Sequence, residues 1–516
     1  MPLDPPPYVA IDAPKNDHGE VETSPGGIGL LPEEVYARQM HPWAAAVRKR
    51  VTRNLAWESD VLAAMQDKVR TPFLDAYFVN TSSLGTHTFF MVLLPAFCFF
   101  GFHEITRGLI FNLAFGIYIT SVMKDSICAP RPYAPPVHRL TIGNHHKEYG
   151  FPSTHTVNSV SIALFFFTVV HRLAKTPITD PLSPDAEPQM IVSATQYYTA
   201  GVVLLFYMFS IVYGRLYTAM HSFTDCAVGF ALGVGTWGLF VLYGQSLDTW
   251  LKTSGWIVPA VVVPFCLLCV HYHPEPVEDC PCFEDSIAFM SVVMGEFLTR
   301  WYMSRHEYDH RFFVRVMAGA PFGTLAEMWT WWSIACAKMV VGVAAIFAWR
   351  IFAKFLLHRI LPPLYRFLSH LVTLPQRRYY TPATDYKRFP PEKGLRALPS
   401  IIDLPGMVEL EVDGVSTAAS RRVAGSGAVG DRKIKLRVGK GSPTLRAEKQ
   451  LAVPGAVAAS GLGIEELGGK DVEVEVVKHY DADVLTKVFV YSGIGMLASG
   501  GMPIFFELIG WGMRMQ

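Results

Sequence analysis

Along this chain, long apolar runs alternate with short polar stretches. A helix needs about 20 apolar residues to cross the hydrocarbon core of a bilayer. Runs of that kind lie near 83–102, 105–123, 157–172, 196–214, 225–244, 255–271, 286–303, 332–357 and 487–511. Several contain Gly or Pro, which lipid-embedded helices tolerate better than soluble ones. The 157–172 run is short, and 286–303 contains Glu296 and Arg300. The pattern therefore predicts an all-α integral membrane protein, a polytopic bundle of eight or nine transmembrane helices.

The polar remainder divides the chain further. Residues 1–82 read as soluble, with a basic patch, VRKRVTRN, and an amphipathic stretch near 55–70 suited to a membrane surface. A membrane core follows at 83–245, interrupted by a Pro-rich loop at 173–195, and more membrane helices at 246–376. The segment 377–486 is rich in Gly, Ala and Ser, with one short alternating signal, KDVEVEVV. It reads as a largely flexible insertion with room for a small β-element. The last span and the C-terminus occupy 487–516.

Composition supports the membrane reading. Of 516 residues, 51% are hydrophobic and 17% charged, against roughly a quarter charged in soluble domains; the mean hydropathy is +0.26. A formal net charge of +1 supplies no basic field for nucleic acid. The first twenty residues lack an apolar h-region, so no cleavable signal peptide is expected. Eight cysteines are dispersed, and Cys98, Cys226, Cys266, Cys269 and Cys336 lie inside apolar runs. That is no disulfide framework. Cys280-Pro-Cys282 is the one close pair, and a structural turn explains it better than a metal site.

Charge gathers at three places between the spans: KDSICAPRPYAPPVHRL from Lys124, KEYGFPSTHTVNS with Ser153 and His155, and YGRLYTAMHSFTDCAVG with Arg215, His221 and Asp225. Two spans separate the first two stretches from the third, an even number, so all emerge on one side. Lys124, Arg131 and Arg215 are fixed cations, and a guanidinium fork suits phosphate oxygens. Such a clamp stabilises the charge of an in-line phosphoryl transition state. His221 and Asp225 are spaced i, i+4, so on a helix the carboxylate lies beside the imidazole. Asp225 can then fix the tautomer of His221 and leave its other nitrogen to attack phosphorus. His155 remains as acid for the leaving alkoxide. No carboxylate cluster for Mg²⁺ accompanies the set, so neither metal nor cofactor is expected.

Each piece alone has a plainer explanation. A His four residues before an Asp is usually a helix-surface pair, an Arg at a span boundary a headgroup anchor, and Lys124 a snorkelling lysine. The ordered set K-x6-R-P, P-S-x-H, R-x5-H-x3-D, with spans between its parts, outweighs them.

That set resembles the type 2 phosphatidic acid phosphatase superfamily, histidine-dependent phosphatases related to vanadium haloperoxidases. More narrowly, CAPRPYAPPVHRL, KEYGFPSTHT, HPEPVEDCPCFEDSIAF and YDADVLTKVFVYSGIG are similar to the fungal sphingoid (long-chain) base-1-phosphate phosphatases. The superfamily core covers about 83–245. The resemblance implies His221 as nucleophile, Asp225 as its partner, His155 as acid, and Lys124, Arg131, Ser153, Thr154 and Arg215 at the phosphate. Thr154 stands where the superfamily usually has Gly, which can cost a backbone N–H contact, although Ser or Thr is usual in the sphingoid subgroup. Gly214 stands where a Ser is usual, leaving Ser222 as a candidate substitute.

The implied activity is metal-independent hydrolysis of sphingoid base 1-phosphates through a phosphohistidine. The substrate's ammonium would favour an acidic neighbour, for which Glu148 is a candidate; a solvated loop glutamate explains it equally well. A broad lipid phosphate (phosphatidate) phosphatase remains the alternative, as does a non-catalytic transporter or scaffold that keeps a phosphatase-like site. Oligomeric state is open, a homodimer included. Two spans before Lys124 put the N-terminus on the active-site side. The patch at 48–53 argues for a cytosolic N-terminus, whereas the resemblance implies an endoplasmic reticulum membrane with a lumenal site. The two agree only if a further segment before 83, such as 55–78, enters the membrane; the resemblance is preferred.

Overall fold

The computed structural model describes residues 28–81, 87–140, 148–178, 189–308, 311–386 and 479–514. Helices α1 (Glu33–Gln39), α2 (Pro42–Val69) and α3 (Pro72–Thr81) come first. The apolar runs fold as α4 (His87–Phe99), α5 (His103–Ile127), α6 (Thr154–Ala174), α7 (Ala194–Tyr217), α8 (Phe223–Thr253), α9 (Ile257–His271), α10 (Cys282–Arg305) and α11 (Leu325–Ser369). The last apolar run is α12 (Asp481–Met496), which continues through a π-turn, Leu497–Gly501, into α13 (Met502–Leu508). Strands β1 (Pro177–Ile178) and β2 (Gln189–Met190) pair antiparallel in the Pro-rich loop, and β3 (Tyr380–Thr381) pairs parallel with β4 (His479–Tyr480). Most of the expected flexible insertion, including KDVEVEVV, lies outside the described residues.

Among the described residues, six helical units are long and apolar enough to cross a membrane: α5, α6, α7, α8, α11 and α12 with α13. The other three expected spans are helical but different in kind. Helices α4 and α9 have 13 and 15 residues, roughly 20 Å at helical rise, and contain Pro95 and Pro264. Helix α10 has 24 residues but buries Glu284, Ser286, Ser291, Glu296 and Thr299. Its polarity is tolerated because it packs against α5, α9 and α12. At its far end Asp248 of α8 takes Arg300 at 3.0 Å, Lys252 at 2.5 Å, and Arg107 of α5.

Helix α5 is enclosed by α4, α6, α8 and α10, with Leu109, Leu113, Ala114 and Ile117 buried. Lipid tails are as apolar as Leu, so apolar burial alone does not bring membrane helices together; close packing and polar contacts do. Gly229 of α8 shows such an approach. A Cβ there would lie 2.9 Å from the Ser153 carbonyl and 3.0 Å from Thr156 Cβ of α6. At Gly233, one turn on, it would lie 2.8 Å from the Val157 carbonyl.

Helix α2 caps this end of the bundle. Pro42 starts it at a position where a missing N–H costs nothing, and its buried positions recur every three or four residues. That stripe mixes apolar Val51, Leu55 and Leu62 with polar Arg48, Glu58, Ser59 and Gln66. The polar members bond to backbone far away in sequence. Arg48 donates to the carbonyls of Cys128 and, at 2.9 Å, Gly29. Ser59 Oγ accepts from Tyr133 N (3.1 Å). Gln66 Nε2 donates to His138 O and Tyr217 O, both at 2.8 Å, and its Oε1 accepts from His138 N at 2.9 Å. Glu58 accepts from Thr224 N at 3.1 Å and from its hydroxyl. The amphipathic stretch thus turns its buried stripe to the protein's own loops, and Arg48 of the basic patch is spent inside.

The close approach of α6 and α8 can be tested. Gly229→Val should force α8 off α6 and cost about 1–3 kcal/mol, seen as faster thermal inactivation in detergent and loss of activity. Gly235→Val, where a Cβ meets nothing within 4 Å, should be close to wild type. Equal behaviour of the two variants would remove close packing as the reason for glycine at 229.

Candidate active site

Four helix ends meet beneath α2. Helix α5 stops at Ile127 because Cys128 turns left-handed (φ 52°) and Pro130 and Pro132 follow. Its last turn carries Lys124, and the last turn of α7 carries Arg215. Cations are favoured there by the partial negative charge of a helix C-terminus. Helices α6 and α8 start at the same end, with Ser153 and Ser222 as N-caps. Their N-termini present backbone N–H groups suited to an anion. The Ser153 hydroxyl accepts from Thr156 N (3.4 Å) and Thr156 Oγ1 (3.0 Å), which leaves its own proton for another acceptor. The site thus pairs two cation-bearing C-termini with two N-termini.

Arg131 joins the three polar stretches. It is 5% exposed, and burial pulls its pKa below the usual guanidinium value. Its Nε donates to Glu148 O (3.0 Å) and Nη1 to Met220 O (2.9 Å). The same Nη1 lies 3.4 Å from His221 Nε2, and Nη2 lies 3.5 Å from Glu148 Oε2. Lys124 Nζ is 3.0 Å from that carboxylate oxygen. Arg215 is buried within electrostatic reach of Arg131, and its carbonyl accepts from Met220 N (3.1 Å) and His221 N (3.3 Å), closing the turn that carries the histidine.

The tautomer of His221 is set by a carbonyl. Nδ1 lies 2.8 Å from Gly150 O and 3.7 Å from Asp225 Oδ2. The Nδ1 proton therefore goes to Gly150, an assignment made from these distances. Asp225 acts on the ring by charge, because its Oδ2 is engaged by Ser222 N at 2.8 Å in capping α8. Nε2 keeps its lone pair and faces Arg131. Burial lowers the His221 pKa; Asp225 opposes that, Arg131 and Lys124 add to it, and the result is about 4. The imidazole is neutral at neutral pH, the form a nucleophile needs.

The remaining expected residues also have places. Thr154 and His155 occupy the first turn of α6, both partly exposed, with Thr154 Oγ1 donating to Thr120 of α5 at 3.2 Å. Ser222 caps α8 by accepting from Asp225 N at 3.2 Å, which, as at Ser153, leaves its own proton for another acceptor. Cys280 and Cys282 form a disulfide, which fits the expected turn. Among the described residues only these two and Asp125 form a close group of metal-ligating types, and bonded sulfurs offer no thiolates.

Several functional positions escaped the sequence reading. Gly150 is one: a Cβ there would lie 2.6 Å from Pro130 O, and its carbonyl orients His221. The polar stripe of α2 is another. Only its helical period is visible in sequence; most of its partners are backbone groups, which carry no sequence signal.

The PAP2 superfamily matches residues 106–248, the stretch that carries every motif residue above. A dihydrosphingosine 1-phosphate phosphatase of Schizosaccharomyces pombe is 34% identical over 374 residues, 70% of this chain and 78% of that one. One of Saccharomyces cerevisiae is 30% identical over 341 residues, 66% and 77%. Lipid phosphate phosphatase delta of Arabidopsis thaliana is 28% identical over 264 residues, 50% and 59%. No solved structure matches the chain. With two fungal relatives matched over most of their length and the superfamily's region coinciding with the four helix ends, this chain belongs to the PAP2 superfamily.

Proposed function

We propose that this chain is a lipid phosphatase that hydrolyses sphingoid base 1-phosphates through a phosphohistidine on His221. The observation that carries the mechanism is the neutral His221 ring, held at Nδ1 by Gly150 and turned with Nε2 to the Arg131 fork. The substrate class is supported by the two fungal relatives' names. The Arabidopsis relative, a lipid phosphate phosphatase, keeps a broader lipid phosphatase as the second reading. Phosphate release from sphingoid base phosphate and from phosphatidate by the purified protein separates the two.

In the proposed reaction the phosphate displaces the Glu148 carboxylate from Lys124 and Arg131, with Arg215 and the Ser153 end of α6 completing the cradle. Nε2 attacks phosphorus in line, the ester P–O bond breaks, and His155 gives its proton to the departing alkoxide. His155 then takes a proton from water, which attacks the phosphohistidine and frees inorganic phosphate and His221. The cations stabilise charge on the equatorial oxygens throughout. The tail of the leaving alcohol stays in the bilayer at this end of the bundle.

We place the protein in the endoplasmic reticulum membrane with this site facing the lumen. A disulfide at the site end agrees with an oxidising compartment. Burial of Arg48 removes one charge from the patch that argued for a cytosolic N-terminus. Residues 55–78 fall in α2 and α3, outside the membrane-spanning helices, so that segment does not reconcile the two arguments, and the lumenal placement follows the resemblance to the sphingoid subgroup.

Activity should persist in excess chelator, and vanadate should inhibit competitively as a five-coordinate mimic. Lys124→Ala and Arg215→Ala should weaken vanadate and substrate together by about 10- to 100-fold, the loss of one charged hydrogen bond. Complete loss on EDTA restored by Mg²⁺, or wild-type vanadate affinity in either variant, would contradict the clamp.

The two histidines should fail differently. His221→Ala should yield no phosphoenzyme from any ester. His155→Ala lacks only the acid, which matters for an alkoxide whose conjugate acid resembles water, with a pKa of about 16. A nitrophenolate needs no proton, so an aryl phosphate should still phosphorylate His221 and then stall for want of a base. Rapid-quench kinetics should show a burst of phenol from His155→Ala and none from His221→Ala. A burst from the latter would reverse the roles.

A further inference from the structure

Helix α2 has a second face that its packing on the bundle leaves open. Its exposed large apolar side chains are Trp43 (55%), Val47 (37%) and Trp57 (65%). At about 100° per residue they fall within a sector of about 80°, along one flank of the buried stripe. Arg50 and Lys68, both exposed, lie in the same sector. The opposite side shows Lys49, Arg53, Ala56, Asp60 and Asp67, with no large apolar side chain. A helix with water on every open side gains nothing by gathering its tryptophans on one flank.

The depth of this flank follows from its neighbours. Arg48, Glu58 and Gln66 meet the ends of α5, α8 and α7 in turn, at Cys128, Thr224 and Tyr217. Helix α2 therefore lies across the end of the bundle, parallel to the membrane plane. Beyond it the chain turns back along α7, a membrane span with few buried residues. Thr71 N donates to the Tyr217 hydroxyl at 3.2 Å, and the Tyr77 hydroxyl lies 2.9 Å from Ser210 Oγ. From Tyr217 back to Ser210 is about two turns of α7, roughly 10 Å. Phe73, at the start of this descent, is 76% exposed. A headgroup layer adds about 5–7 Å on each side of the hydrocarbon. Helix α2 sits at its level.

We propose that this flank of α2, with Phe73 of α3, rests in the phospholipid headgroup layer beside the cradle. Trp43, Val47, Trp57 and Phe73 reach the acyl boundary, where aromatic side chains gather in membrane proteins. Arg50 and Lys68 pair with lipid phosphates. Aromatic side chains mixed with fixed cations fit phosphate-bearing headgroups better than the surface of a second chain. The stripe on the other face of α2 holds the loops around Cys128, Thr224 and Tyr217, so lipid that steadies the flank also steadies the cradle. The consequence for activity rests on the phosphatase reading above: a lipid ester should need the docked cap, and a soluble ester should not.

The first test reads position without activity. The full chain, with its exposed free cysteine removed as Cys336→Ser, carries an environment-sensitive thiol fluorophore at Trp57→Cys or at Asp60→Cys. In nanodiscs of phosphatidylcholine and phosphatidylserine, the label at 57 should emit to the blue and be quenched by brominated lipid. The label at 60 should behave as in water. Equal emission from the two positions overturns the proposal. A blue shift at 57 without quenching by brominated lipid assigns the flank to a second protein copy and overturns it too. The second test joins Trp43→Ala with Trp57→Ala. In the same discs kcat/KM for a sphingoid base phosphate should fall about 10-fold, the worth of one buried aromatic side chain, while hydrolysis of a soluble aryl phosphate stays unchanged. A parallel loss on both esters would make the tryptophans structural and overturn the docking. If the wild type hydrolyses neither ester, the phosphatase reading fails and the fluorescence decides the docking alone.

Discussion

The structure depends on burying positive charge at the end of a membrane bundle. Lys124, Arg131 and Arg215 are each about 5% exposed or less, and moving one ion out of water costs several kcal/mol even after relaxation. The surrounding elements can be understood as ways of meeting that cost. Two cations sit on helix C-termini, where the backbone favours them. Arg131 spends its N–H groups on the carbonyls of Glu148 and Met220. Glu148 supplies the counter-charge.

Meeting that cost also builds the geometry for catalysis. The Arg131 bonds fix the second and third polar stretches relative to the first, and the same compression brings the Gly150 carbonyl to His221. A ring oriented by a carbonyl keeps its nucleophilic nitrogen free, while Asp225, 3.7 Å away, waits to stabilise the imidazolium-like product of attack. A carboxylate in closer contact would raise the ring's pKa. Distance and burial together keep it neutral, with a pKa near 4.

The motif residues were legible in the sequence because the reaction needs particular side chains at fixed spacing. Parity between spans was enough to put them on one face. The supports were less legible for a physical reason. Arg48, Ser59 and Gln66 act on backbone carbonyls and N–H groups, which every residue possesses, so nothing at the other end of the bond announces it. Where side-chain partners exist they are distant or local to the cap: Thr224 for Glu58, 166 positions away, and Glu33 for Arg48 at 3.3 Å. Helix α10 was obscured in another way. Its Glu296 and Arg300 counted against a lipid-facing span, and the helix in fact packs among α5, α9 and α12, where Asp248 gathers the charge at its far end.

Rigidity at such a site cannot come from hydrophobic collapse, since the surrounding lipid offers apolar surface of equal quality. It comes from approach too close for a Cβ and from polar bonds that water cannot contest. Gly229 and Gly233 let α8 run against the α6 backbone, so that Ser153 N reaches Asp225 O at 3.2 Å. This bond links the two N-termini that face the phosphate, and α2 closes over them through Glu58 at Thr224. The polar helix on top and the small residues beneath therefore do one task from opposite sides. They hold a charged cradle stiff at the boundary where its substrate's headgroup leaves the membrane.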